Sequence, residues 1–363
     1  MEAIKKCGVY LRQKIKQLFT SKSFIVSAIS LLLALIVSGI ILAFSGYNPF
    51  TAYVNMFGGA FGDMSRVADT LGIATPLILC GTAVAIAMRG GAINIGAEGQ
   101  LYVGAMAAAL TGIFCQGLPA ILHIPLCILA AAVAGGLWAG LAGYLKIKLK
   151  VNEVVLTIML NYIAIYLTDY IVTYGVKAEG MVVKTPNVAE SAILPALYPH
   201  SRLTIGFILA VIIVFVVRWM MKKTVFGLEL QAIGNNLAAA ETGGVNIGKQ
   251  FLVTMFISGA LAGLAGAVEV MGVHKYFIKG FSPGYGYDGL SIAVLGQNSP
   301  VGVLVSAILY GALRSGAQVM DRMTKIPSDF VGLMQALIII FVATPGIIMA
   351  MRNFARRGKK NHD

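Results

Sequence analysis

Two stretches of this chain combine residue types that could do chemistry in surroundings that otherwise could not. Residues 89–100 read RGGAINIGAEGQ, between apolar runs at 71–88 and 101–114. Asn94, Glu98 and Gln100 bring two carboxamides and a carboxylate, which together donate and accept hydrogen bonds. Residues 280–300 read GFSPGYGYDGLSIAVLGQNSP and repeat the mixture, with Asp288, Gln297 and Asn298 as the polar set. Phe281, Tyr285 and Tyr287 stand beside them as stacking surfaces or as anchors at a membrane interface. Such groups suit a polar solute held by hydrogen bonds. Their carboxylates could also relay protons or bind a cation, in which case Glu269 joins Glu98 and Asp288. Glu269 lies near the end of its apolar run and reads equally as an outer-surface residue.

The surroundings decide how unusual these groups are. Of the 363 residues, 58% are hydrophobic and 12% charged, against about 45–50% and about 25% in a soluble domain. The chain is therefore an integral membrane protein by composition. A carboxylate at the centre of a bilayer costs about 2.5–3.5 kcal/mol on insertion scales, which makes Glu98 a functional candidate. Gly90, Gly91, Gly96 and Gly99 would let the backbone break there, and irregular backbone at membrane depth is tolerated where it lines a cavity. The alternative is a turn at the cytoplasmic face, with Arg89 marking the inner edge of the preceding span.

The elements that must position these residues are helices. A span needs about 20 mostly apolar residues, and the candidates are 24–44, 67–88, 92–113, 119–144, 153–174, 203–221, 249–271, 286–298, 300–317 and 329–350. The predicted fold is all-α and polytopic, with about ten transmembrane helices and glycine-rich breaks. The short 286–298 segment is either a crossing or a re-entrant half-helix. Basic segments at 1–23 and 351–363 flank the transmembrane region 24–350, and the positive-inside rule puts both termini in the cytoplasm. Lys146, Lys148, Lys150, Lys222, Lys223 and Lys249 agree with that orientation. Arg202, Arg322 and Lys325 fall outside, as does the proline-bearing segment 175–202. Gly259, Gly263 and Gly266 share one helix face, as do Gly136, Gly140 and Gly143, which predicts close packing within the chain more than a dimer seam.

Several other signals fail. Residues 243–249, GGVNIGK, match part of a phosphate loop but lack the following hydroxyl residue and the preceding strand. Gly284, Gly286 and Gly289 spell G-x-G-x-x-G without a βαβ unit around them. Cys7, Cys80, Cys115 and Cys127 show no paired spacing, and His123, His200, His274 and His362 are scattered, so no metal site is read. No enzymatic motif is present.

Residues 222–249, KKTVFGLELQAIGNNLAAAETGGVNIGK, form a third unusual segment on the predicted cytoplasmic side. Ala238, Ala239 and Ala240 would present a small, smooth helical surface beside Glu241, and Gly243 and Gly244 would end the helix. It reads as a surface helix or as a docking helix for a soluble partner.

Taken with the Gly90–Gln100 stretch, the loop Ala232-Ile-Gly-Asn-Asn-Leu-Ala-Ala-Ala-Glu-Thr-Gly-Gly-Val-Asn246 resembles those of permease subunits of bacterial ATP-binding-cassette (ABC) importers for branched-chain amino acids, ribose-type sugars and nucleosides. The resemblance covers roughly residues 65–350, and the Asn-Ile-Gly-Ala-Glu-Gly-Gln form is most similar to the nucleoside branch. It implies import of nucleosides, or similar ribose-containing solutes, by alternating access, with a simple-sugar permease as the nearest alternative. An ion-gradient-driven secondary transporter or channel is the alternative from another class. It implies a substrate path along Asn94, Glu98, Gln100, Asp288, Gln297 and Asn298. The loop 222–249 would hold a coupling helix, docking on the ATPase through Gly234, Asn235, Asn236, Ala239, Ala240, Glu241 and Gly243. The resemblance further implies two ATPase subunits that bind ATP and magnesium, no cofactor in this chain, a second permease that is a paralogue, an extracellular binding lipoprotein, and a place in the bacterial cell membrane.

Overall fold

The computed structural model describes residues 22–324, 326–327 and 329–343. Lys22 and Ser23 begin the first helix, and the rest of the basic segment expected over 1–23 lies outside the described residues. So do the tail 351–363, residues 344–350 of the last expected span, Lys325, Cys7 and His362.

The described residues are helical apart from loops and two isolated bridges, Lys184 with Ile278 and Ala196 with Thr204. In chain order the helices are α1 Lys22–Phe44, α2 Pro49–Phe61, α3 Met64–Arg89, α4 Ala97–Phe114, α5 Ala120–Leu149, α6 Glu153–Tyr170, α7 Gly206–Lys223, α8 Val225–Asn235, α9 Leu237–Thr242, α10 Ile247–Val268, α11 Tyr285–Leu295, α12 Pro300–Thr324 and α13 Asp329–Ala343. Wider π-type turns, Ile171–Gly175 and Glu269–His274, extend α6 and α10.

Five stretches among the described residues are long and apolar enough to cross a membrane: Met64–Arg89, Ala120–Leu149, Glu153–Gly175, Ile247–His274 and Pro300–Thr324. Three other expected spans differ from their forecasts for visible reasons. Helix α4 starts at Ala97 rather than residue 92, because residues 90–96 leave the helix. Helix α7 ends in Arg218, Lys222 and Lys223. The 286–298 segment is an 11-residue helix, about 16 Å at 1.5 Å per residue, roughly half of a 30 Å hydrocarbon layer. Helix α2 was not among the expected spans; at 13 residues it is too short to be one.

The chain divides into two compact units. Among the described residues, the smaller comprises those up to 55 and from 319 to 343, and in it α13 packs along α1. There Tyr53 donates to the Leu35 carbonyl at 2.6 Å and meets the Ser38 hydroxyl at 2.9 Å.

The larger unit, residues 56–318, has α10 at its centre, against α5, α4 and α3. The predicted face of Gly259, Gly263 and Gly266 makes these contacts, while Gly136 and Gly143 pack on Phe256, Leu252 and Met255. A Cβ on Gly259 would overlap Ala139 and Gly135, one on Gly263 would overlap Ala131, and one on Gly266 would overlap Leu101. Gly104 likewise abuts Gly263. The glycines thus serve packing within the chain, where backbones approach closely. Helix α3 is buried nearly all round, whereas α5 and α6 expose most of their length.

Candidate functional site

The site grows from the end of α3. Gly90 donates to the carbonyls of Ile86 and Ala87, and Gly91 takes a positive φ of 70°, which halts the helix at little steric cost because Gly has no Cβ. The following residues are pinned one at a time. Ile93 N–H donates to Glu153 Oε1 at 3.0 Å, and Glu153 is also ion-paired with Lys146.

Asn94 and Gln100 face each other with reciprocal amide bonds, both 3.0 Å, across the break. Asn94 Oδ1 also accepts from Gly96 N–H at 2.9 Å, while its amide donates to Ser258 Oγ at 2.8 Å. The Ser258 hydroxyl in turn donates to the Ala83 carbonyl of α3 at 2.7 Å. Asn94, Gln100 and Ser258 are buried, and a buried amide must find such partners or bear the cost of desolvation.

Glu98 stands in the first turn of α4, where the helix dipole favours a carboxylate. It is buried, and its Oε2 accepts the N–H of Gly286, in the first turn of α11, at 2.6 Å. A Cβ on Gly286 would collide with the Glu98 backbone, and one on Gly289 would lie 2.9–3.0 Å from Cys80. Glu98 is therefore near the level of Cys80, nine residues along α3 from Arg89, or about 13 Å from that end of the helix. The N-termini of two broken helices, α4 and α11, meet around one buried carboxylate.

Asn161 of α6 completes the knot. Its Oδ1 accepts from Gly99 N–H at 2.8 Å, and its amide donates to the Ile95 carbonyl at 2.9 Å and the Tyr287 hydroxyl at 3.4 Å.

The second polar set separates into two places. Asp288 is bonded to Arg314 Nη1 at 2.7 Å. Arg314 Nη2 reaches the Pro283 carbonyl at 2.8 Å, and its guanidinium lies 5.1 Å from the Tyr285 ring. One arginine of α12 thereby clamps the start of α11. Gln297 and Asn298 sit at the opposite end of α11, both with positive φ, in the turn to α12. The Asn298 carbonyl accepts from Arg89 Nε at 3.1 Å, and its side-chain oxygen is buried without a hydrogen-bond partner. From Gly286 to Gln297 the helix rises about 16 Å, so the two sets do not share one cavity.

Two further expectations are corrected. Glu269 is not an outer-surface residue. It is fully buried, with Arg202 at 3.5 Å and His274 at 3.6 Å. Phe281 and Tyr285 are not open stacking surfaces, since Phe281 packs on Tyr102 and Phe277 and Tyr285 is covered. Tyr287 alone of the three is exposed. Asn161, Ser258 and Arg314 were not foreseen, because a lone polar residue in an apolar helix has no local pattern.

In the 222–249 loop, Thr224 caps α8 by accepting from Gly227 N–H, and Asn236 caps α9 by accepting from Ala239 N–H. Gly243 caps the end of α9, and Gly244 follows with a φ of 85°. Asn235, Asn236, Ala239, Glu241 and Gly243 are exposed. Ala240 turns inward and is buried, because only one face of so short a helix can be open. A Cβ on Gly234 would overlap the Arg89 carbonyl, and one on Gly90 would meet Leu230 at 2.5 Å. Helix α8 is thus seated on the end of α3. Among the described residues, no three His, Cys, Asp or Glu side chains are grouped to hold a metal ion.

Residues 66–343 match the model of a family described as branched-chain amino acid transport system / permease component. The chain is 40% identical over 326 residues to the guanosine ABC transporter permease protein NupP of Bacillus subtilis, covering 88% of this chain and 93% of that one. It is 31% identical to the nucleoside ABC transporter permease protein NupB of Lactococcus lactis, over 91% and 93% of the two chains. It is 33% identical to the glucose ABC transporter permease protein TsgB13 of Haloferax volcanii, over 91% and 90%. No solved structure matches it significantly.

Proposed function

The chain belongs to the branched-chain amino acid transport system permease family, and on that premise we propose that it is the membrane subunit of an ATP-driven nucleoside importer. The observation that carries this reading is the meeting of the α4 and α11 N-termini at the buried Glu98, on a chain similar to a guanosine permease over nearly its whole length. Discontinuous helices whose ends converge at mid-membrane are how many transporters build a solute site and let two halves rock around it.

In this reading Asn94, Glu98, Gln100 and Asp288 shape the middle of the path. Gln297 and Asn298 lie at its inner mouth beside Arg89. The solute crosses by alternating access. About ten crossings, with residues 275–284 and α11 making one of them from the outside, leave both termini in the cytoplasm. Helix α9 is the coupling helix, and Ala239, Glu241 and the flanking Asn235, Asn236 and Gly243 meet a separate ATPase that binds ATP and magnesium. Ala240 supports that surface from within, and Gly234 is an exposed part of it beside Arg89. A paralogous second permease and an extracellular binding lipoprotein complete the assembly.

Uptake of labelled guanosine at low concentration tests the proposal. It is expected to fall to background in cells lacking the gene and to return with the gene supplied; equal uptake in both would refute it. A simple sugar is the second reading, favoured by the similarity to TsgB13, and labelled glucose in the same cells separates the two.

A further inference from the structure

We propose that the exposed face of α6, from Tyr162 to Tyr174, is a wall of the solute path that takes a solute carrying a flat ring and free hydroxyls. The proposal deepens the nucleoside reading and rests on it for the identity of the solute.

Tyr162, Tyr166, Tyr170 and Tyr174 recur every fourth residue, and all are exposed, at 54%, 69%, 64% and 77%. Four-residue steps on a helix of 3.6 residues per turn make one stripe that drifts slowly round the axis. The last two rings are in contact, tilted by 44° with 5.1 Å between centroids. Interfacial anchoring accounts for tyrosines near a span end. It does not account for Tyr162 and Tyr166, which lie about 14 and 20 Å from the start of α6 at Glu153. Hydroxyls at that depth, turned to lipid, would have no hydrogen-bond partner.

Asp169 gives an independent sign. It follows Tyr162 by seven residues and so shares its face. One oxygen is paired with Lys279 at 3.5 Å; the other, Oδ1, is buried and accepts no hydrogen bond. An unfilled carboxylate acceptor beside a row of aromatic faces matches a hydroxyl donor attached to a flat ring.

The stripe is also continuous with the knot around Glu98. Asn161 immediately precedes Tyr162, holds the backbone of Ile95 and Gly99, and reaches the exposed Tyr287. A solute sliding along α6 would pass from the tyrosines to the exposed Tyr287, which Asn161 holds from behind. Stacking on tyrosine accepts any base, because every base has a π-face. The same surface suits a family of nucleosides more than one of them.

The test uses the assembled transporter in membrane vesicles, with Cys7, Cys80, Cys115 and Cys127 replaced and a single cysteine introduced as Tyr162→Cys or Tyr166→Cys. A charged, membrane-impermeant thiosulfonate is the probe. Both cysteines are expected to react, and guanosine, but not ribose, is expected to slow the reaction at least fivefold. No reaction at either position, in vesicles that still transport, would overturn the wall, as would reaction that no solute slows. Equal slowing by ribose and guanosine would uphold the wall and remove the nucleoside reading. Asp169→Ala is expected to raise the KM for guanosine about tenfold, the loss of one hydrogen bond to a charged group, with Vmax nearly kept. An unchanged KM would remove Asp169 from the path.

Discussion

Glu98 accepts a short bond from a backbone N–H of another helix. A neutral amide in its place would keep the shape and could turn a donor, rather than an acceptor, toward Gly286. Glu98→Gln is therefore expected to cut uptake at least tenfold while the permease still assembles, as read by transport and by co-purification of the complex. Wild-type uptake would show that the charge is dispensable. Asn94, Glu98 and Gln100 were legible in the sequence because polar groups in apolar runs stand out. Their partners were not. The bond from Glu98 joins residues 188 apart, and that from Asn94 to Ser258 joins residues 164 apart. Ser258 and Asn161 look like ordinary small and polar members of apolar helices until the fold brings them to the break. Asp288 was legible as a polar group, but its occupation by Arg314 was not, since Arg314 falls inside a segment that reads as a span.

At the scale of elements, α11 owes its place to glycines. Gly286 abuts Glu98 and Gly289 abuts Cys80, so the motif that mimics a dinucleotide fingerprint is a packing face. Gly286→Ala would press a methyl into the Glu98 backbone, and overpacking of this kind costs about 1–3 kcal/mol. A lowered Tm of the detergent-purified protein is expected; an unchanged Tm would mean that α11 shifts freely. Helix α9 is the opposite case, exposed except for Ala240. Glu241→Lys reverses a charge on that open surface and is expected to reduce ATPase capture in a pull-down at least tenfold without moving the Tm. Undiminished capture would place the docking surface elsewhere. The stop at Gly243 and Gly244 was legible, because glycine ends helices for a local reason. The inward turn of Ala240 was not, because a three-alanine run has no amphipathic signal.

At the scale of the whole molecule, the chemistry that drives transport is expected to come from outside the chain. Three acidic side chains of the larger unit have partners within it, Glu98 with Gly286, Asp288 with Arg314 and Glu269 near Arg202. Uptake into vesicles holding the full complex should stop without ATP and persist when an ionophore collapses the proton and sodium gradients. The reverse result would favour an ion-driven carrier. Membrane residence and the crowding of small residues were legible from composition and spacing. The division into two units was not, since its boundaries fall inside α2 and α12, where composition does not change. The glycine contacts of α4, α5 and α10 have one more consequence. Where Gly104 meets Gly263, and Gly135 meets Gly259, neither surface has side chains that interlock. A seam of bare backbone works like a greased track: one helix can slip along its neighbour with no rotamers to reset. Stiffness across the seam and ease along it then come from the same missing atoms.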